Sequence, residues 1–235
     1  MSMEILGIIP ARGGSKGIPL KNIQKLGNFP LIYYSIKSAQ KSKINRVIVS
    51  TDNKQISKIS KKYGVEIPFL RPKKISQSNS SSNLLIDHAI KSLQKTDYNP
   101  DIVVLLQPTS PFRTVNMIND SIAILKHTNA TSVISVMRAK KHPYQSFFIK
   151  NGNLKHFNKN HEKLYYQRQQ LPEMFFETGS IYTFWRKTFE KFNSIYRPKI
   201  KPMIINADEF NLDIDSKYDL SLANMVLKNS KNLEI

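Results

Sequence analysis

The chain has 235 residues, 40% of them hydrophobic, with 36 lysines and arginines against 17 acidic residues and a formal net charge of +19. That length and apolar content suit one α/β domain with an insertion; no apolar run reaches the ~18 residues of a membrane span, and zero cysteines exclude disulfides and thiolate metal sites and point to a cytoplasmic protein. The lysines are spread along the whole chain without a dense block, so the charge reads as a field that steers a polyanionic ligand, with no nucleic-acid and no membrane partner expected.

Ile5-Leu6-Gly7-Ile8-Ile9 has the length and β-branched content of a buried parallel strand. The N-terminus enters it within a few residues, which leaves no room for a signal peptide. Pro10 is expected to stop its ladder. Ala11-Arg12-Gly13-Gly14-Ser15-Lys16-Gly17 follows as a glycine-rich loop, where backbone N–H groups can approach an anion closely under two cations, with Lys21 in reach. The loop is neither a Walker A motif nor the G-x-G-x-x-G dinucleotide fingerprint. By itself it is a phosphate loop or a basic surface turn.

A helix is predicted over Phe29–Ser42, with Pro30 at its start. Arg46–Thr51 is a second buried strand, closed by Asp52-Asn53, and Gln55–Tyr63 a helix stopped by Gly64. Strand, helix, strand at this spacing implies a right-handed crossover and a parallel sheet. Val65–Leu70 is short and extended, and Arg71-Pro72 breaks it. The Ser/Asn-rich stretch Ser76–Asn83 leads into a helix over Leu84–Leu93 and offers several caps.

Asp101–Leu106 is the most evident buried strand, followed by the loop Gln107–Arg113, the helix Asn116–Lys126 and the strand Thr131–Met137. From Arg138 to Phe176 prolines, aromatics and Asn151-Gly152-Asn153 replace the alternation; Asn-Gly between apolar stretches is a hairpin signal, so residues 138–176 read as an inserted β-rich arm. The sheet domain then comprises 1–137 and 177–235, resuming with a strand at Ser180–Phe184 and a helix at Arg186–Phe192. A strand at Pro202–Asn206 and a closing helix at Lys217–Leu227 complete it, with Asp219 on that helix's surface.

The run Ile8-Ile9-Pro10-Ala11-Arg12-Gly13-Gly14-Ser15-Lys16-Gly17-Ile18-Pro19, with Lys21-Asn22 after it, resembles the signature of the acylneuraminate cytidylyltransferases, the CMP-sialic acid synthetases. Val47–Asp52, Pro68–Pro72, Leu105–Arg113, Gln167–Pro172 and Leu212–Asp215 resemble further segments of that family, so the likeness spans nearly the whole chain. It implies a Rossmann-like, mostly parallel α/β sheet with helices on both faces and a dimerisation insertion. The reaction it implies is transfer of CMP from CTP to a nonulosonic acid with release of pyrophosphate.

Carried over residue by residue, the resemblance places Ala11, Asn22, Arg71 and Ser82 around the cytidine. Arg12, Gly13, Gly14, Ser15, Lys16 and Lys21 would surround the triphosphate, with Arg12 and Lys21 catalytic. Asp213 and Asp215 flank one isoleucine; in an extended segment such residues face one side, which suits Mg²⁺ or Mn²⁺ bridged to phosphates. Alone, D-x-D also describes a solvated turn; the resemblance makes the pair the metal site. Gln107, Thr178 and Tyr182 would meet the sugar, and Arg168 would grip its carboxylate through two parallel bonds.

The resemblance further implies a homodimer, with Arg168 close to the subunit boundary. Two departures stand out: Thr178-Gly179-Ser180-Ile181-Tyr182 replaces the Asn-Gly-Ala-Ile-Tyr of many sialate enzymes, and an aspartate of the serine loop is replaced around Ser78. The identity of the sugar acid therefore stays open, with a legionaminate-type or eight-carbon keto-acid (Kdo-type) nucleotidyltransferase as the alternative. A basic nucleic-acid-binding module is the alternative of a different class.

Overall fold

The computed structural model describes residues 3–15, 17–157, 171–206 and 212–229. Lys16 and Arg168 lie outside the described residues. A six-stranded sheet organises the rest, built from β1 (Ile5–Pro10), β4 (Arg46–Ser50), β5 (Ile102–Leu106), β6 (Ser132–Arg138), β9 (Phe175–Trp185) and β10 (Ile200–Ile204) in the order β10-β6-β9-β5-β1-β4. Two hairpins stand apart from it: β2 (Lys25–Leu26) with β3 (Phe29–Pro30), and β7 (Phe147–Lys150) with β8 (Asn153–His156).

β1 pairs in parallel with β4 on one side and β5 on the other. β1 and β5 are continuous runs buried on both faces, as the sequence implies. Pro10 ends the ladder as expected, as the last residue of β1 opposite Ser50, and one further bond follows, the Ala11 N–H donating to the Ser50 carbonyl at 2.9 Å. Proline lacks only a donor, so a strand's final residue tolerates it. Among the described strands of the six-stranded sheet, β9 runs against its neighbours, antiparallel to both β5 and β6.

Helices cover both faces. α1 (Leu31–Gln40), α2 (Lys54–Lys61) and α4 (Val115–His127) pack Ile32, Ile36, Ile56, Ile118 and Ile122 against one face. α3 (Ser82–Gln94) and α5 (Arg186–Phe192) place Ile86, Ile90 and Phe189 on the other. A third cluster joins Leu26, Leu31, Phe112, Ile214 and Ala223, so α6 (Lys217–Asn229) fastens the loop carrying Ile214 to the domain.

The chain runs from β1 outward to β4, then returns to β5 on the other side of β1. The crossovers diverge at β1 and β5, leaving a crevice beyond their carboxyl ends, where open α/β sheets bind ligands. The glycine-rich loop and the loop after β5 meet there.

Candidate functional site

A cleft of about 610 Å³ fills that crevice. Arg12, Ser15, Lys21, Asn22, Arg71, Ser82, Gln107, Asp213 and Asp215 all line it, although they lie as much as two hundred residues apart. The expected site residues Ala11, Gly13, Gly14, Thr178 and Tyr182 are not in its wall.

Ala11 is fully buried and continues the sheet, while Gly13 donates its N–H to Asp52 Oδ1 at 2.9 Å. A Cβ on Gly13 would crowd the Asn53 side chain at 2.8–2.9 Å, so glycine lets the loop close against the end of β4. Asn53 also caps α2, its Oδ1 accepting from the N–H groups of Gln55 and Ile56. One short turn thus starts a helix and seats the phosphate-loop backbone. Gly14 and Ser15 line a neighbouring depression against Ser76, Gln77, Ser78 and Asn79 of the serine-rich stretch.

Asn22 is buried, and its Nδ2 donates to the Arg12 carbonyl at 3.1 Å, tying the loop's two ends together. Arg71 is 4% exposed, and its backbone N–H donates to Thr51 O at 2.7 Å. Burial lowers its pKa, opposed by Asp52 and assisted by Arg12. Its Nε has no protein partner among the described residues, although the side chain lines the cleft. A buried, unpaired donor costs free energy until an acceptor arrives, and a cytosine carbonyl is one such acceptor.

Across the cleft, Lys21 Nζ donates to Asp215 Oδ1 at 2.7 Å. Asp213 accepts a hydrogen bond from the Thr109 side chain, and the Ile214 N–H donates to the Thr109 carbonyl at 2.9 Å. Burial raises the Asp213 pKa, Asp215 adding to the effect while Thr109 and Lys21 oppose it. Both carboxylates keep exposed surface where they line the cleft, and two like charges so close together favour a cation beside them. Two hard oxygen donors fit a divalent ion whose remaining positions go to phosphates and water; among the described residues no third acidic or histidine ligand joins them.

Three supports of this corner went unread in the sequence. Thr109 is one. Gly17 is another, because a Cβ there would run into the Asp215 carbonyl. The third is Asp219, half-buried at the start of the closing helix, whose Oδ2 accepts from the Asp215 and Ser216 N–H groups and so starts α6. Only the S-x-x-D spacing of Ser216 and Asp219, a capping pattern, could have signalled it.

Gln107 reaches the cleft from the end of β5. Thr178 and Tyr182 lie behind it on β9. The Thr178 hydroxyl is 2.7 Å from Ser135 Oγ, and the Tyr182 hydroxyl donates to Glu177 Oε2 at 3.3 Å. Tyr182 is 7% exposed and packs in the cluster containing Leu85, a cleft residue. Burial and Glu177 raise its pKa, so its hydroxyl stays a donor at neutral pH.

A switch-point cleft with a glycine-rich phosphate loop, flanking cations and a carboxylate pair defines an enzyme of nucleotide chemistry. The particular family follows from comparison: residues 6–231 match the cytidylyltransferase family model. The chain belongs to that family and is a nucleotidyltransferase. It is 33% identical over 229 residues to the CMP-N,N'-diacetyllegionaminic acid synthase of Legionella pneumophila, covering 96% of this chain and 97% of that protein. It is 31% identical over 245 residues to the N-acylneuraminate cytidylyltransferase of Escherichia coli O18:K1:H7, covering 99% of this chain and 54% of that one. A CMP:2-keto-3-deoxy-manno-octonic acid synthetase solved with CTP superposes with a TM-score of 0.71 at 14% identity, over 96% and 98% of the two chains, which shows the shared fold.

Proposed function

We propose that this enzyme transfers CMP from CTP to a nonulosonic acid, releasing pyrophosphate. The observation that carries the reading is the convergence of Arg12, Lys21, Arg71, Gln107 and the Asp213–Asp215 pair on one cleft. The relatives named above act on sugar acids of this class, which supports the acceptor assignment.

Asn22, Arg71 and Ser82 form the end that reads the cytidine, while Arg12, Ser15 and Lys21 take the triphosphate. The sugar acid enters beside Gln107. Its anomeric hydroxyl attacks the α-phosphorus; the new P–O bond replaces the bond to pyrophosphate, and the hydroxyl proton leaves to solvent. Alignment and charge neutralisation drive such a step, with Arg12 and Lys21 stabilising charge that builds on the phosphates. When bound, a Mg²⁺ or Mn²⁺ ion on Asp213 and Asp215 supplies further neutralisation of phosphate charge. Arg168, outside the described residues, is assigned the sugar carboxylate.

The test is pyrophosphate release with CTP across a panel of nonulosonic acids and an eight-carbon keto acid, with and without excess chelator. Turnover of at least one nonulosonic acid, abolished by chelation and restored by Mg²⁺, is expected. Release with the eight-carbon acid alone would reassign the acceptor, and full activity in chelator would sink the metal site.

A further inference from the structure

Arg113 is fully buried. Its partners among the described residues are two carbonyls and a hydroxyl, none of them charged. Nη2 donates to Gln107 O at 2.7 Å and to Ser180 O at 2.8 Å, Nε to Ser180 O at 3.1 Å, and Nη1 to Ser35 Oγ at 3.1 Å. Burial pushes its pKa down to about 9, which leaves it charged at neutral pH. A buried guanidinium without a counter-ion is costly, so its position needs a reason.

The β5–β9 register supplies one. Pairing runs from Ile102↔Trp185 to Leu106↔Ile181, so the next antiparallel pair would be Gln107 and Ser180. The guanidinium takes both of those carbonyls as acceptors just where the pairing stops. β9 is irregular there on its other side too. Its register with β6 passes from Ile134↔Tyr182 to Val136↔Glu177, three residues more on β9 than on β6. The surplus is Thr178-Gly179-Ser180, with Gly179 at φ +70°. Ser135 Oγ holds the bulge from the β6 side, accepting from Ile181 N at 2.9 Å and lying 2.7 Å from Thr178 Oγ1. Arg113 holds it from the β5 side.

We infer that Arg113 is a positioning residue that fixes Gln107 and the Thr178–Ser180 bulge as one unit, and thereby shapes the sugar-acid side of the cleft without shaping the nucleotide side. The inference rests on the proposed acceptor side beside Gln107. None of the four bonds reaches Arg12, Lys21, Asn22, Arg71 or Ser82, so loss of the fork acts on one substrate. Lysine keeps the charge but supplies one point where three nitrogens now act.

The experiment compares the full-length wild type with Arg113→Lys and with Ser35→Ala, which removes only the Nη1 acceptor. Amide hydrogen exchange is followed across the chain, CTP Kd is taken by calorimetry, and KM and kcat are measured for the sugar acid. Faster exchange at Glu177–Ile181 with β1 and β4 unchanged is expected in both variants. A rise in sugar-acid KM of about tenfold for Arg113→Lys, smaller for Ser35→Ala, should accompany a CTP Kd within about twofold of wild type. If Arg113→Lys does not fold, Ser35→Ala carries both readouts. Unchanged exchange at the bulge overturns the positioning role whatever the turnover; equal shifts in both substrates' constants overturn its restriction to the sugar side. A wild type that turns over no nonulosonic acid overturns the proposed function instead, and the exchange data still decide the positioning.

Discussion

Lys21 and Asp215 form the closest charged contact in the cleft, yet Asp215 is 76% exposed. A pair so open to water adds little stability, so its value lies in placing the ammonium. Lys21→Ala is therefore expected to melt with the wild type and to lose turnover by about 10²–10³-fold, the scale of one preorganised charge-stabilising donor. Near-normal turnover at saturating CTP would remove Lys21 from the site. A second residue-scale expectation concerns His88, whose pKa is lowered from 6.5 by burial and by Arg71 and Lys95, with Asp87 opposing. Its Nδ1 is buried without a partner among the described residues, and its ring meets Phe69 edge-on. The unfolded chain takes this proton first as pH falls. The stability tied to neutral His88 is thus complete above the unfolded value and lost below it, toward the lower folded one. The melting temperature of His88→Gln should fall less than that of the wild type between pH 7 and about 5; parallel curves would contradict this.

Elements are held in register here by small contacts between loops. Gly17 is the clearest, because the Asp215 carbonyl occupies the place of its missing Cβ. Gly17→Ala is expected to push the Asp213–Asp215 loop off the Thr109 carbonyl, destabilising the fold by about 1–3 kcal/mol, the usual cost of overpacking. Turnover should fall further than the melting temperature implies, since both carboxylates move. Calorimetric melting beside kinetics checks it, and an alanine variant with wild-type kinetics would show that the loop yields. The same contacts explain what the sequence disclosed. Runs such as Asp101–Leu106 and the Asn151-Gly152 turn carry local signals, and the structure has β5 at Ile102–Leu106 and the β7–β8 hairpin with both turn residues at positive φ. β9 was legible only from Ser180, although it begins at Phe175, because the bulge at Thr178–Ser180 breaks alternation. Arg12 was legible as a cation beside glycine, with Lys21 a few residues on, while Arg71 was legible only through the family resemblance. Thr109, Gly17 and Arg113 were not, since their roles depend on partners far away in sequence.

At the scale of the molecule, the β7–β8 hairpin is the feature a single chain leaves unexplained. It stands outside the main sheet, and a two-stranded hairpin alone is marginal in water. Its pairs Phe147↔His156 and Ile149↔Leu154 put Phe147, Ile149 and Leu154 on one face, because residues two apart share a side. Ile149 is 76% exposed and Leu154 66%, with Phe147 half-exposed beside them. Apolar surface gathered in this way marks an interaction site, and we propose a second copy of this chain as its occupant. The hairpin is continuous with the expected dimerisation arm. The double variant Ile149→Lys, Leu154→Lys reverses the chemistry of that face without touching the sheet, which buries neither residue. Light scattering should give twice the chain mass for the wild type and a single chain mass for the variant, with CTP Kd unchanged because the nucleotide cleft lies in the sheet domain. A wild type that is monomeric at working enzyme concentration would refute the assignment, and so would a variant that remains a dimer.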